Sequence, residues 1–273
     1  MLILSKKNTF KFFEMIEIAR ENGIFLLVDK IKDWTSFDVV AKIRGLTHIK
    51  KIGHAGTLDP LATGLLIVAL GRKATKEIDT FRGLSKTYIA EIKLGATTIT
   101  DDAEGEEIIT NYELLITNDS QKTEAGSRNL ITNYELRITK DSIENVVGKF
   151  IGKIEQIPPV FSAQKIDGKP AYKSARKNKE VILRPKSVEI YSIEIKKLSF
   201  PFITLEVNCS MGTYIRSLAR DIGKELGCGA YLYNLRRTKI GDFSVEDALT
   251  IDEIIQLADG RLKSQKSLVG SEQ

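Results

Sequence analysis

Only two cysteines, Cys209 and Cys228, and two histidines, His48 and His54, occur in 273 residues. Two thiols are too few for a disulfide framework or a cysteine-rich zinc site, and a reducing cytoplasm is the simplest compartment. With so few imidazoles and thiols, no metal is expected. No apolar run approaches the ~18 residues of a membrane span, so no membrane association is expected. Residues 1–13 mix Lys6, Lys7 and Lys11 with a few apolar side chains. They lack the uninterrupted apolar core and small-residue cleavage site of a signal peptide. A phosphate-binding P-loop is also missing, because Gly64 is followed by Leu65-Leu66 and not by Lys-Ser/Thr. No cofactor, nucleotide or otherwise, is expected.

What is present fits a folded protein that meets polyanions. The apolar share of 42% is ordinary for a globular chain, and the length suits one large domain or two small ones. Net charge is +5, from 41 basic and 36 acidic residues, and it is unevenly placed. Between Lys165 and Lys186 stand eight basic residues (Lys165, Lys169, Lys173, Arg176, Lys177, Lys179, Arg184, Lys186) and two acidic ones, Asp167 and Glu180. That stretch alone carries +6. Clustered cations suit a phosphate backbone; the bland alternative is a solvated surface.

The densest chemistry lies in Gly53-His54-Ala55-Gly56-Thr57-Leu58-Asp59-Pro60-Leu61-Ala62-Thr63-Gly64. Glycines let the backbone turn and approach a ligand closely, and Pro60 stiffens the chain just after the one carboxylate. The apolar run Leu65 to Leu70 follows at once and reads as a buried strand anchoring the loop. In isolation Asp59 would read as a turn residue.

Elsewhere, Ile24 to Val28 reads as a second buried strand. Thr35-Ser36 opens a helix that Gly45 is expected to end. A helix is predicted over 74–81. Lys86 to Leu94 alternates, with Tyr88, Ala90, Ile92 and Leu94 on one face. A short helix is predicted over 142–150, strands around 188–195 and 203–209, and a helix over 213–226 closed by Gly227. Thr250-Ile251-Asp252-Glu253 is a capping box. Residues 1–22 read as an extension, 23–260 as the main domain and 261–273 as a disordered tail. Ile109-Thr110-Asn111-Tyr112-Glu113-Leu114 recurs 22 residues later as Ile131-Thr132-Asn133-Tyr134-Glu135-Leu136. Two copies are too few for a solenoid. Residues 108–140 therefore read as a surface insertion, which costs little closure entropy. Strands and helices without a βαβ rhythm suggest an α+β fold.

The Gly53–Gly64 segment closely resembles the catalytic loop of the bacterial synthases that convert the T-loop uridine at tRNA position 55 to pseudouridine. Further motifs extend the resemblance over roughly 23–256, apart from the insertion. They are Lys86-Thr87-Tyr88, the stretch Thr97 to Gly105, Ile157-Pro158-Pro159-Val160-Phe161-Ser162-Ala163-Gln164-Lys165, Gly168-Lys169-Pro170-Ala171-Tyr172, Cys209-Ser210-Met211-Gly212-Thr213-Tyr214-Ile215-Arg216 and Tyr233-Asn234-Leu235-Arg236-Arg237. The resemblance implies the pseudouridine synthase fold, a mixed, largely antiparallel sheet with flanking helices. It implies Asp59 as the catalytic carboxylate, with Tyr88 and Arg216 as active-site partners and Leu235 against the target base. His54, Lys165, Lys169, Tyr172 and Tyr214 are expected to bind substrate. The implied partner is the T arm of tRNA, bound by a monomer. Two departures stand out. Members carry Lys-Pro and a glycine just after the first strand, whereas Ile31 follows Lys30 and Asp33-Trp34 stands in the glycine region, which puts that turn in question. Many members also carry a small C-terminal RNA-binding module of the PUA type, for which no sequence remains here, so a weaker grip on the acceptor arm is expected.

The reaction breaks the C1′–N1 bond of uridine and joins C1′ to C5 of the same base. It needs an ionised carboxylate, a held base and exclusion of water, all of which side chains can supply. Asp59 could act as nucleophile or as base. The rival reading is a non-catalytic tRNA-binding or tRNA-folding protein on the same scaffold, against which intact Asp59, Tyr88 and Arg216 speak. A carboxylate-pair glycosidase would need a second acid about 5–9.5 Å away, and the loop holds none.

Overall fold

The computed structural model describes residues 2–8, 11–110, 114–116, 136–162, 165–166, 169–170 and 183–260. Along the chain run β1 (Leu2–Leu4), α1 (Phe12–Glu21), β2 (Ile24–Lys30), α2 (Ser36–Thr47), β3 (Ile52–His54), β4 (Thr63–Leu70), α3 (Arg72–Lys76), α4 (Ile78–Arg82) and β5 (Lys86–Leu94). Then come β6 (Ala96–Thr98), β7 (Glu107–Ile109), β8 (Leu114–Ile116), β9 (Leu136–Ile138), α5 (Lys140–Gly148), β10 (Gly152–Gln156), β11 (Lys165–Ile166) and β12 (Lys169–Pro170). The chain closes with β13 (Lys186–Ser199), β14 (Phe202–Cys209), α6 (Ile215–Glu225), β15 (Ala230–Ile240), β16 (Phe243–Ser244), β17 (Leu249–Thr250) and α7 (Ile251–Ala258). The chain divides into two compact units, residues 1–88 with 235–273, and residues 89–234.

In the first unit the strand order is β1-β2-β4-β15-β5, with β17 beside β2, β3 beside β4 and β16 beside β15. β2 and β4 pair antiparallel from Ile24↔Leu70 to Lys30↔Gly64. Both are almost wholly apolar because both faces are covered, and successive side chains point to opposite faces. Ile24, Leu26, Val28, Leu66, Val68 and Leu70 pack with α1, α2 and α7. Phe25, Leu27, Leu65, Ile67 and Ala69 pack with Ala74, Ile78 and Phe81 on the other side. Residues 2–8 and 11–21, within the stretch 1–22 read from sequence as an extension, join this core: β1 pairs parallel to β2, and Phe12, Met15, Ile16 and Ala19 of α1 are buried.

Three local expectations shift. α2 runs through Gly45 to Thr47, and the chain leaves the helix at His48, which adopts the left-handed conformation at φ 55°. The helix predicted over 74–81 divides into α3 and α4, which meet at Glu77. Gly53 and His54 are not loop but part of β3, paired antiparallel to β4.

In the second unit β14 pairs antiparallel with β13, and β13 with β10. Ile203, Leu205, Val207 and Cys209 alternate into the interior. α6 buries Ile215, Leu218, Ala219 and Ile222 at helical spacing. β6 and β7 form a hairpin. The segment expected as an insertion is tied down at both ends. Ile108 and Ile109 lie in β7, Thr110 Oγ1 donates to the Gly95 carbonyl at 2.8 Å, and Thr139 caps α5 through a capping box with Ser142. Between those ends, β8 and β9 are the same stretch of the two repeat copies. They pair parallel and in register, Leu114↔Leu136 to Ile116↔Ile138. The rest of the insertion, the tail 261–273 and Tyr172 lie outside the described residues, as does most of the basic stretch. Of Lys165 and Lys169 only the backbone, in the β11–β12 hairpin, is described. No helix among the described residues is long and apolar enough to cross a membrane.

Candidate active site

Asp59 is half-buried, in a loop flanked by the buried Leu58 and Leu61. Three side chains of the same unit hold that loop. Ser36, the first residue of α2, donates its hydroxyl to the Leu58 carbonyl at 3.1 Å and accepts from the Leu58 amide at 2.8 Å. Lys30, at the end of β2 and 0% exposed, donates to the carbonyls of Ile31 at 2.9 Å, Trp34 at 2.6 Å and Pro60 at 3.3 Å. Arg237 on β15, 1% exposed, sends Nε to the Leu65 carbonyl at 2.7 Å and Nη2 to the Gly56 carbonyl at 3.2 Å. Within the loop the Ala62 amide donates to the Asp59 carbonyl at 3.1 Å. Buried cations satisfied by carbonyls cost desolvation, which these bonds offset.

The same scaffold carries two more of the sequence-predicted residues. β4 and β15 pair parallel through Arg236↔Thr63 and Arg237↔Gly64. Thr63 Oγ1 lies 3.5 Å from the carbonyl of Leu235, whose side chain is buried. β5 follows β15, with Thr238 Oγ1 donating to the Thr87 carbonyl at 3.3 Å, and Tyr88 is buried on the apolar face of β5 read from sequence. Arg236 forms a bidentate pair with Asp29, at 3.0 and 2.7 Å. His54 is half-buried on β3, and its Nδ1 has no hydrogen-bond partner among the described residues. Burial pushes its imidazole below the ordinary histidine value. The Arg237 and Arg82 guanidiniums push the same way, and the nearby Gly56 backbone partly offsets them.

Arg216 and Tyr214 belong to the second unit. Arg216 is buried in the first turn of α6. Its Nη1 donates to the Thr100 carbonyl at 3.2 Å and its Nη2 to the Phe161 carbonyl at 3.1 Å, and Nη1 lies 3.5 Å from Asp102 Oδ2. One turn on, Arg220 holds the Asp101 carboxylate at 2.8 Å and the Ile157 carbonyl at 2.9 Å. Burial raises the Asp101 carboxyl above its ordinary value, against the opposing pull of Arg220. Tyr214 is the residue before α6. The Gln156 amide group bonds its backbone twice, at 2.8 and 3.0 Å. α6 therefore gathers the loop 97–105 and the Pro-Pro segment into one arrangement.

A carboxylate on a stiffened loop, with a buried tyrosine and leucine on neighbouring strands, suits the chemistry read from sequence. The profile of the TruB family pseudouridylate synthase N-terminal domain matches residues 44–126 and 110–215, and that of the tRNA pseudouridylate synthase B C-terminal domain matches 216–268. The chain belongs to the TruB family of pseudouridylate synthases. The two N-terminal matches overlap on 110–126, within the region of the repeat. Among curated relatives, the tRNA pseudouridine synthase B of Phocaeicola vulgatus is 46% identical over 246 residues, covering 88% of this chain and 94% of that protein. Its counterpart in Parabacteroides distasonis is 46% identical over 238 residues, covering 85% and 92%. Among solved structures, a Cbf5–Nop10–Gar1 complex contains a chain 26% identical with a TM-score of 0.62, and an archaeal box H/ACA sRNP Nop10–Cbf5 complex one 25% identical with a TM-score of 0.59. This chain is covered to 95% and 93% in these matches but spans only 61% and 59% of theirs. They bear out the α+β pseudouridine synthase fold.

Against the TruB pattern, the missing glycine after β2 has a local answer. Asp33 adopts φ 64°, the left-handed conformation that aspartate reaches more readily than most side chains, and its amide donates to the Pro60 carbonyl at 2.9 Å. Sequence reasoning missed the residues that hold the TruB loop. Lys30 carried a signal, a lysine closing a strand buried on both faces. Ser36 read only as a helix start. Arg237 lay within a quoted motif without a role.

Proposed function

We propose that this chain isomerises the uridine at position 55 in the T loop of tRNA to pseudouridine, with Asp59 as the catalytic carboxylate acting on a flipped-out base. The observation that carries the reading is the half-buried Asp59 on a loop bonded on both sides to buried side chains, in a chain of the TruB family. The relatives' names, tRNA pseudouridine synthase B, supply the substrate class.

In this reading Asp59 either attacks C1′, forming an ester as the C1′–N1 bond breaks, or removes the C2′ proton as that bond breaks. C5 of the same uracil then bonds C1′, the ester breaks or the proton returns to C2′, C5 gives up its proton and N1 takes one. Tyr88 stacks on the uracil and assists loss of the C5 proton, and Leu235 packs against the base. Arg216 supplies positive charge to the site. Extracting the uridine from the folded loop costs a few kcal/mol. His54, stacking in the place the base vacates, offsets part of this, together with Tyr214, Tyr172, Lys165, Lys169 and the basic stretch around them. The enzyme acts as a cytoplasmic monomer on the T arm.

The test is incubation with an unmodified tRNA transcript and mapping of pseudouridine at single-nucleotide resolution. Product at the T-loop uridine alone is expected. Binding without product would favour a tRNA-binding or tRNA-folding role.

A further inference from the structure

We infer that Ser36 and Arg237 are positioning residues for Asp59, setting where its carboxylate stands; this rests on the catalytic role proposed for Asp59. A hydroxyl that both donates to and accepts from the backbone of one residue fixes that residue against sliding and rotation. Ser36, 2% exposed, does this to Leu58, the residue immediately before Asp59. Arg237 acts from another direction. Its fork spans from Gly56, three residues before Asp59, to Leu65, six residues after it. The two clamps rest on different elements, α2 and β15, so the loop is triangulated.

The backbone leaves little slack in this arrangement. Gly56 and Gly64 sit at φ 100° and 101°, and a Cβ on Gly64 would stand 2.3 Å from the Arg237 carbonyl oxygen. β15 is therefore seated directly on the loop's exit, and the guanidinium reaches the loop from a fixed root. A fully buried guanidinium is a poor way to gain stability, since apolar residues of like volume often do as well. It is a good way to fix two carbonyls at defined positions. Directional bonds of this kind matter where a reacting group must stand within a fraction of an ångström, and a misplacement of about 1 Å can cost about 100-fold in rate.

The experiment measures three quantities for each variant: the single-turnover rate of pseudouridine formation at saturating unmodified tRNA transcript, tRNA affinity, and thermal unfolding. Ser36→Ala and Arg237→Met should lose roughly 10- to 100-fold in rate at temperatures where they are fully folded, with affinity within about twofold of wild type. Ser36→Thr, which keeps the hydroxyl, should recover most of the rate. Arg237→Lys, which keeps the charge but not the fork, should fall between wild type and Arg237→Met. The conservative variants preserve the test if Ser36→Ala or Arg237→Met fails to fold. Folded variants with wild-type rates, or a Ser36→Thr no better than Ser36→Ala, would overturn the positioning role while leaving the function standing. A wild-type protein that forms no pseudouridine would overturn the function and this role with it.

Discussion

Gly64→Ala and Gly45→Ala should change stability in opposite directions. At Gly64 the backbone is left-handed, φ 101°, and an added Cβ would meet the Arg237 carbonyl oxygen at 2.3 Å, its nitrogen at 2.8 Å and its carbonyl carbon at 3.0 Å. All three are backbone atoms of β15, so no side chain can swing away. A non-glycine residue held in such a conformation costs about 1–3 kcal/mol. Separating β4 from β15 loses the pairing at Arg236↔Thr63 and Arg237↔Gly64, at about 1 kcal/mol for each hydrogen bond. Together these give roughly 3–5 kcal/mol, or about 6–20 °C of Tm for a chain of this size. Gly45 lies within α2 with nothing within 4 Å of an added Cβ, so alanine there should stabilise by about 0.5–1 kcal/mol and raise Tm by roughly 1–4 °C. Differential scanning calorimetry of both variants decides the matter. A Gly64→Ala protein that melts within 3 °C (about 1 kcal/mol) of wild type, or a Gly45→Ala protein that melts lower, would refute the reasoning.

Excising one repeat unit, residues 114–135, joins Glu113 to Leu136 and should leave Tm within about 2 °C, because loop length changes closure entropy only slowly and the β8–β9 pairing lost with it is a separate two-stranded ladder of three residue pairs, marginal by itself; Thr110→Val, which removes a bond to the Gly95 carbonyl, should cost about 1–3 kcal/mol in denaturant unfolding. The depressed His54 means the unfolded chain takes up its proton first, so its contribution to stability is present above the ordinary value near 6.5 and is lost as pH falls below it. His54→Gln should therefore flatten the fall of Tm between about pH 7 and 5, and an unchanged slope would remove His54 from that account. Neutralising Lys169, Lys173 and Arg176 together should lower the slope of log tRNA affinity against log salt by roughly 1–3 units, at about 0.7–0.9 per phosphate contact. An unchanged slope in that titration would return the cluster to a solvated surface.

The parts of the fold legible in sequence were those set by local pattern. β2 and β4 announced themselves as unbroken apolar runs because both faces of each are covered. Thr250 and Glu253 announced α7 because a capping box needs only neighbours in the chain. The end of α2 was misread because Gly45 sits in open space and is not required to terminate anything, whereas His48 adopts the left-handed turn. β3 was hidden because it is three residues long and becomes a strand only through its pairing with β4. Asp59, Tyr88 and Leu235 were located by motif and stand on adjoining elements. What holds the Asp59 loop was not legible, since Ser36 is 22 residues from Leu58 and Arg237 is 181 from Gly56. Such bonds exist only once β15 lies against β4.

The most direct measurement of the central claim is the single-turnover rate of pseudouridine formation by Asp59→Asn, set beside its affinity for the same tRNA transcript. Asparagine keeps the size and much of the hydrogen bonding of the side chain but cannot act as a carboxylate nucleophile or base. Loss of product with affinity largely retained is the predicted result. Near-normal product formation by Asp59→Asn would contradict the account.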